Sequence, residues 1–278
     1  MTDKKLYLTR AQLISELGRC LGCKSKPCMN ACPVNCNPQE FIAKAKANDF
    51  AGAVETITRN NPMGQTCGLI CPDKFCMQAC TRAGIDFPIN IPRVQATILE
   101  KYRTAESAAH PKLPANGKKV AVIGAGPAGI AATAELSRLG YRITLFESFE
   151  KIGGALNLIP DKRLPFEVIA KDWSFIDDPD MIELRLNTPV NNPAALLEQD
   201  FDGVIVATGE PEGINLGIDG EEHAVSYLDY LRHPEHYAAR GNIAVIGGGA
   251  VATDCALTAV NNGAENVEMF VRRRVSDM

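Results

Sequence analysis

With 278 residues, the chain has room for two domains of ordinary size, each able to bury a core. Apolar residues make up 46 % and charged residues 22 %, a globular balance, and the net charge of -4 lacks the basic excess of a nucleic-acid-binding surface. No apolar run approaches the roughly 20 residues of a membrane span, and the opening stretch has lysines but no apolar core of a secretory signal.

Nine of the ten cysteines fall within the first 80 residues, eight of them in two runs. The first is Cys20, Cys23, Cys28 and Cys32, followed by Pro33; the second is Cys67, Cys71, Cys76 and Cys80, with Pro72 after its second cysteine. Short C-x2-C and C-x3-C steps let one turn of backbone present neighbouring sulfurs, which is what the irons of a [4Fe–4S] cube require. Without an export signal, the cysteines read as reduced metal ligands in a cytoplasmic protein rather than as disulfides. Structural zinc is the competing use, but zinc sites pair two C-x2-C steps, and only one is present here.

Around these cysteines, residues 1–104 read as an all-helical domain of short helices. Thr9 can cap a helix over 11–18, and Asn37 with Pro38 forms a cap and first-turn pair for a helix carrying Phe41, Ile42 and Ala45. A further helix covers 49–59 and stops at Asn60-Asn61-Pro62, and another starts near Pro92 and carries Val94, Ile98 and Leu99. Residues 105–117, rich in Ala, Pro and Ser, read as a linker.

After the linker the pattern becomes strand, helix, strand. An apolar strand over 119–123, a helix over 126–140 and a strand over 142–147 form a β-α-β unit, and 203–208 is another buried strand. The pattern repeats with a strand over 242–246, a helix over 250–262 and a strand over 267–271. The expected architecture is α/β: a helical two-cluster ferredoxin-like domain, then a Rossmann-type FAD domain over 118–240. Residues 241–278 then form the start of an inserted NAD(P)H-binding Rossmann unit.

Both β-α-β units carry a glycine-rich turn. Gly124-x-Gly126-x-x-Gly129 lies between strand and helix, where backbone N–H groups can receive a pyrophosphate, and Glu147 ends the next strand, where an acid accepts from adenosine ribose hydroxyls. The second unit reads Gly247-x-Gly249-x-x-Ala252 with Ala250 and Val251 opening the helix, and its second strand runs into Arg272, Arg273 and Arg274. Guanidinium groups there suit a 2′-phosphate and favour NADPH over NADH. Two differently terminated units point to two nucleotides, FAD in the first and NADPH in the second.

Taken together, these residues resemble the small subunit of glutamate synthase and the N-terminal half of dihydropyrimidine dehydrogenase. The resemblance rests on the cysteine patterns at 20–33 and 67–72, T-R-A-G-x-D-x-P-I-N-I at 81–91, the GAGPAG turn, Gly153-Gly154, Ile159-Pro160, Arg163-Leu164-Pro165 and Ala207-Thr208-Gly209. It covers essentially the whole chain, and the 67–95 segment is most similar to the dihydropyrimidine dehydrogenase branch, including its separate bacterial PreT-type subunit. In that branch the clusters are not ligated run by run. The resemblance implies Cys20, Cys23, Cys28 and Gln95 for one cluster, and Cys32 crossing over to Cys71, Cys76 and Cys80 for the other. Spacing alone leaves Cys67 open as a ligand; Cys36 and Cys255 read as spectators.

For FAD, the resemblance implies Gly124, Gly126, Pro127, Ala128, Gly129, Glu147, Gly153, Gly154, Ala155, Leu156 and Arg163. One departure is that Leu158 precedes the Ile159-Pro160 pair, where the family usually has Gly. Another is that the chain stops after the second strand of the nicotinamide unit, where family members continue, so the expectation is a fragment, a split gene or a chain completed by a partner. The implied activity is electron input, in which electrons from NAD(P)H pass through FAD and two [4Fe–4S] clusters to a catalytic acceptor subunit in a hetero-oligomer. That acceptor would be of dihydropyrimidine dehydrogenase type or, alternatively, of glutamate synthase type. No side chain is nominated as an acid or base, because the cofactors carry this chemistry. A non-catalytic metal- and nucleotide-binding module is the reading from a different class.

Overall fold

Local sequence chemistry starts most of the helices. In the computed structural model, which describes residues 6–210, 212, 213, 217–237, 241–272 and 274, Thr9 opens helix α1 (Arg10–Arg19) through a reciprocal capping box with Gln12. A one-turn helix α2 (Pro27–Asn30) follows Lys26, which adopts a left-handed conformation. Asn37 caps α3 (Pro38–Lys46) and Asp49 caps α4 (Phe50–Thr58), each accepting from a backbone N–H three residues on. Helix α5 (Gly64–Ile70) has no cap from its own preceding residue, whereas Asn90 caps α6 (Ile91–Tyr102). Leu13, Leu17, Phe41, Ile42, Val54, Ile57, Val94 and Ile98 meet in one buried cluster from α1, α3, α4 and α6, as helical periodicity predicts. Within the expected linker, Thr104 caps a short helix, α7 (Ala105–Ala108).

The Rossmann-type portion begins with β1 (Lys119–Ile123), α8 (Pro127–Arg138) and β2 (Arg142–Phe146). Helix α9 (Phe166–Ser174), β3 (Ile182–Arg185), α10 (Ala194–Leu197) and β4 (Gly203–Val206) complete a parallel sheet in the order β3-β2-β1-β4. Val120 to Ile123 are buried, as are Ile143, Leu145 and Phe146, so the two central strands are covered. Residues 1–153 and 162–207 form one compact unit.

The second unit comprises 154–161 and 208–278. It contains a 3-10 turn (Gly154–Leu158), α11 (Tyr227–Arg232), β5 (Asn242–Ile246), α12 (Ala250–Asn261) and β6 (Asn266–Phe270). β5 and β6 pair in parallel, Asn242 opposite Asn266 through Ile246 opposite Phe270. Two strands cannot bury both faces, and Ile246 and Phe270 remain 66 % and 54 % exposed. Among the described residues no helix is long and apolar enough to cross a membrane.

Candidate metal and dinucleotide sites

Every cysteine is free. Gly22, at φ 64, turns the chain between Cys20 and Cys23, while α2 carries Cys28 and leads into Cys32, whose N–H donates to Met29 O at 2.9 Å. Cys20, Cys23, Cys28 and Cys80 line a single cavity, with Thr81, Arg82, Ile89 and Ile91 around them. Cys23 Sγ donates to Thr81 Oγ1 at 3.4 Å. Burial, with the Cys20 and Cys80 thiols nearby, raises Cys28 above the ordinary thiol range.

A second group gathers around Cys76. Burial, with the Cys71, Cys32 and Cys28 thiols as neighbours, pushes Cys76 up to about 12; Cys71 is raised by burial and by Cys32. Cys71 closes α5, its N–H donating to Cys67 O at 2.8 Å. Gln95, buried on α6, donates from Nε2 to Gly64 O at 2.7 Å, which turns Oε1 towards the Cys36 thiol at 3.7 Å. Cys36 itself is buried and lies near Cys32, Cys67 and Cys76; it is pushed up to about 12, as is Cys67.

Cys80 shares its cavity with Cys20, Cys23 and Cys28, and Gln95 is not among the residues lining it. The turn 81–84 (Thr81–Gly84) follows Cys80 directly, and Thr81 and Arg82 line the same cavity. Sulfur donors, free and grouped as neighbours, fit iron–sulfur cubes by donor chemistry.

The two glycine-rich turns repeat each other at the level of single hydrogen bonds. Gly124, at φ 101, donates its N–H to Phe146 O at 2.7 Å; Gly247, at φ 132, donates to Phe270 O at 2.9 Å. Gly126 and Gly249 each cap a helix in extended conformation, with Pro127-Ala128 and Ala250-Val251 forming the first turn. A Cβ on Gly129 would lie 1.8 Å from Gly124 O, so only glycine fits there. Such a turn presents N–H groups to a pyrophosphate.

Glu147 is buried behind the first turn. Its Oε2 accepts from Ala125 N at 2.8 Å and its Oε1 from Phe149 N at 3.0 Å, so the carboxylate also ties the turn to the end of β2. Gly153, at φ 113, donates to Ala125 O at 2.8 Å. Arg163 is half-buried in the same unit. Gly154, Ala155 and Leu156 lie in the 3-10 turn of the second unit, Leu156 buried. Arg272 and Arg274 are exposed beyond β6; Arg273 lies outside the described residues.

Residues 1–107 match the family described as dihydropyrimidine dehydrogenase domain II, 4Fe–4S cluster. A relative from Salmonella typhi, an NAD-dependent dihydropyrimidine dehydrogenase subunit PreT homolog, is 36 % identical over 276 residues, covering 95 % of this chain. Residues 1–107 belong to the dihydropyrimidine dehydrogenase domain II, 4Fe–4S cluster family. The chain's remaining length matches an NAD(P)-binding Rossmann-like domain over 122–174 and a pyridine nucleotide-disulphide oxidoreductase domain over 178–275. The Escherichia coli subunit PreT is 35 % identical over 95 % of the chain, and the NADPH-Fe(3+) oxidoreductase subunit beta of Geobacter sulfurreducens is 30 % identical over 99 %. The chain spans 66 % of the length of the two PreT relatives and 43 % of the Geobacter protein. Histamine dehydrogenase from Rhizobium shares the fold at a TM-score of 0.50 and 16 % identity, covering 88 % of this chain and 36 % of that one. The 4Fe–4S family assigns the cysteines to iron rather than to structural zinc.

Residue spacing did not reveal one participant. Asp172 has a readable signal, since it lies four residues after Val168 on the buried face of α9. It caps α5 from there: Oδ2 accepts from Thr66 N at 2.8 Å.

Proposed function

We propose that the chain is the electron-input part of a cytoplasmic oxidoreductase, taking electrons from NAD(P)H and delivering them to a catalytic partner subunit in a hetero-oligomer. The observation that carries this is the presence of two neighbouring groups of free cysteines in the same compact unit as the Gly124–Gly129 turn. When bound, the nicotinamide, flavin and clusters supply the redox chemistry. The chain's own residues bind, orient and shield them.

In this reading Cys20, Cys23 and Cys28 with the amide oxygen of Gln95 hold one cluster, and Cys32 crosses over to Cys71, Cys76 and Cys80 to hold the other. The first glycine-rich turn, with Glu147, Gly153, Gly154, Ala155, Leu156 and Arg163, holds FAD. Gly247, Gly249, Ala250, Val251 and the arginines after β6 hold the nicotinamide nucleotide, NADPH ahead of NADH because of Arg272 and its neighbours. The module boundaries at 104, 118 and 240 belong to the same reading. The dihydropyrimidine dehydrogenase descriptions of the relatives favour an acceptor of that type over a glutamate synthase type.

The test is anaerobic purification with iron, zinc and flavin quantified on one sample, followed by addition of NADPH or NADH. About eight irons per chain, bound flavin, and bleaching by NADPH faster than by NADH are expected. Zinc in place of iron would sink the reading, and preference for NADH would overturn the nucleotide choice alone.

A further inference from the structure

Two of the most deeply buried charges of the described residues are neither candidate ligands nor part of the glycine-rich turns. Arg103, just after α6, and Asp172, on α9, have side chains with no exposure, and Nη1 lies 2.7 Å from Oδ1. The carboxylate also accepts from Gln65 N at 3.4 Å and Thr66 N at 2.8 Å, the residues just before Cys67 on α5. Arg103 Nη2 donates to Gln65 Oε1 at 3.1 Å, and its guanidinium stacks 4.2 Å from the Phe175 ring centroid. Gln65 Nε2 donates to Glu100 Oε2 at 2.6 Å, and Lys171, next to Asp172, pairs with the same oxygen at 2.8 Å. One end of α9 thus grips α5 and α6, the helices that present Cys71 and Gln95.

We propose that Asp172 and Arg103 are positioning residues for the cluster site that α5 supplies with Cys71, and that their opposite charges set that site's reduction potential. This rests on the electron-input reading. Neither residue is a ligand. A buried charge acts through low-dielectric surroundings, so each exerts a field on the site that water does not screen, and the fields oppose one another. A cluster gains negative charge on reduction, so removing Asp172's charge favours the reduced state and removing Arg103's disfavours it.

The experiment is a redox titration of the cluster-loaded full chain, followed by electron paramagnetic resonance. The signal of the second site is identified as the one lost in Cys71→Ala. Asp172→Asn is expected to shift that signal's potential upward, Arg103→Gln to shift it downward, and the neutral double variant to return it close to the original value. The other cluster's signal stays in place. Loss of packing alone would move both single variants in the same direction, or move neither, and either result overturns the proposal. Should the single variants fail to retain clusters, Glu100→Gln and Lys171→Gln carry the test, since they alter the half-exposed outer pair. Their expected shifts are smaller, upward and downward respectively, and equal signs again overturn it. An unaltered chain without iron would instead mean that the electron-input reading has failed.

Discussion

Cys67 and Cys80 occupy similar positions in a cysteine run but different places in the fold. Cys80 stands at the start of the turn 81–84 and lines one cavity with Cys20, Cys23 and Cys28. Cys67 sits inside α5, where burial, with the Asp172 carboxylate and the Cys71 and Cys32 thiols nearby, pushes it up to about 12, although Asn61 hydrogen-bonds to it. A thiol so placed favours its neutral form until a metal claims it. Iron counts on anaerobically purified variants separate the two roles. Cys80→Ser is expected to lower the count from about eight to about four per chain, and Cys67→Ser to leave it at about eight. A Cys67→Ser protein with half the iron would place Cys67 among the ligands and return Gln95 to a structural role. Gln95→Leu offers the complementary check, because its amide is the remaining donor beside Cys36.

At the scale of the element, what the sequence announces and what it conceals differ by the range of the interaction that starts each helix. Helices α1, α3 and α6 are legible because Thr9, Asn37 and Asn90 lie immediately before them and cap them locally. The β1-α8-β2 and β5-α12-β6 units are legible because a compact apolar strand and a glycine turn mark each one. Helix α5 is not: it contains two glycines, lacks a local cap, and takes its cap from Asp172, over a hundred residues away. Strand β3 is an edge strand of four residues with two charged members, too short for alternation to register. The ligand partition is hidden for a related reason, since spacing restricts which sulfurs are neighbours but not which of two adjacent groups a returning loop joins.

The segment after α7 gives a prediction at this same scale. His110 docks on the end of α4, its Nε2 2.9 Å from Thr58 Oγ1. That hydroxyl already donates to Val54 O at 2.9 Å, so the imidazole nitrogen is the donor and the neutral ring satisfies the contact. Burial, reinforced by the charges of Arg138 and Arg59, lowers its pKa. A pKa depressed by folding means the folded chain holds fewer protons than the unfolded one near the histidine's ordinary value. The contribution is therefore complete above about pH 6.5 and is lost as pH falls through the depressed folded value. Thermal unfolding between about pH 7 and pH 5 should show the melting temperature falling with acid. His110→Gln should flatten that slope while keeping a donor for Thr58. An unchanged slope would show that other groups govern acid sensitivity.

On the scale of the molecule, the two units differ in how much apolar surface their strands remove from water. β1 and β2 each bury four of five residues, whereas β5 buries one and β6 none. Backbone hydrogen bonds in covered strands open only with their unit, while those in exposed strands open locally. Hydrogen exchange on the intact chain should therefore show amides of β5 and β6 exchanging at least about tenfold faster than those of β1 and β2. That ratio corresponds to an opening cheaper by roughly 1.4 kcal/mol. Equal protection in both sheets would mean that β5 and β6 gain their cover by association in solution. Ligands discriminate further, because binding to the folded state alone stabilises it by mass action. Excess NADPH should slow exchange around Gly247 and Gly249 and in α12, leaving the Gly124 turn unaffected, since its N–H groups serve the other nucleotide. Slowing at the Gly124 turn alone would exchange the two nucleotide assignments and put the reading of the arginines after β6 in error.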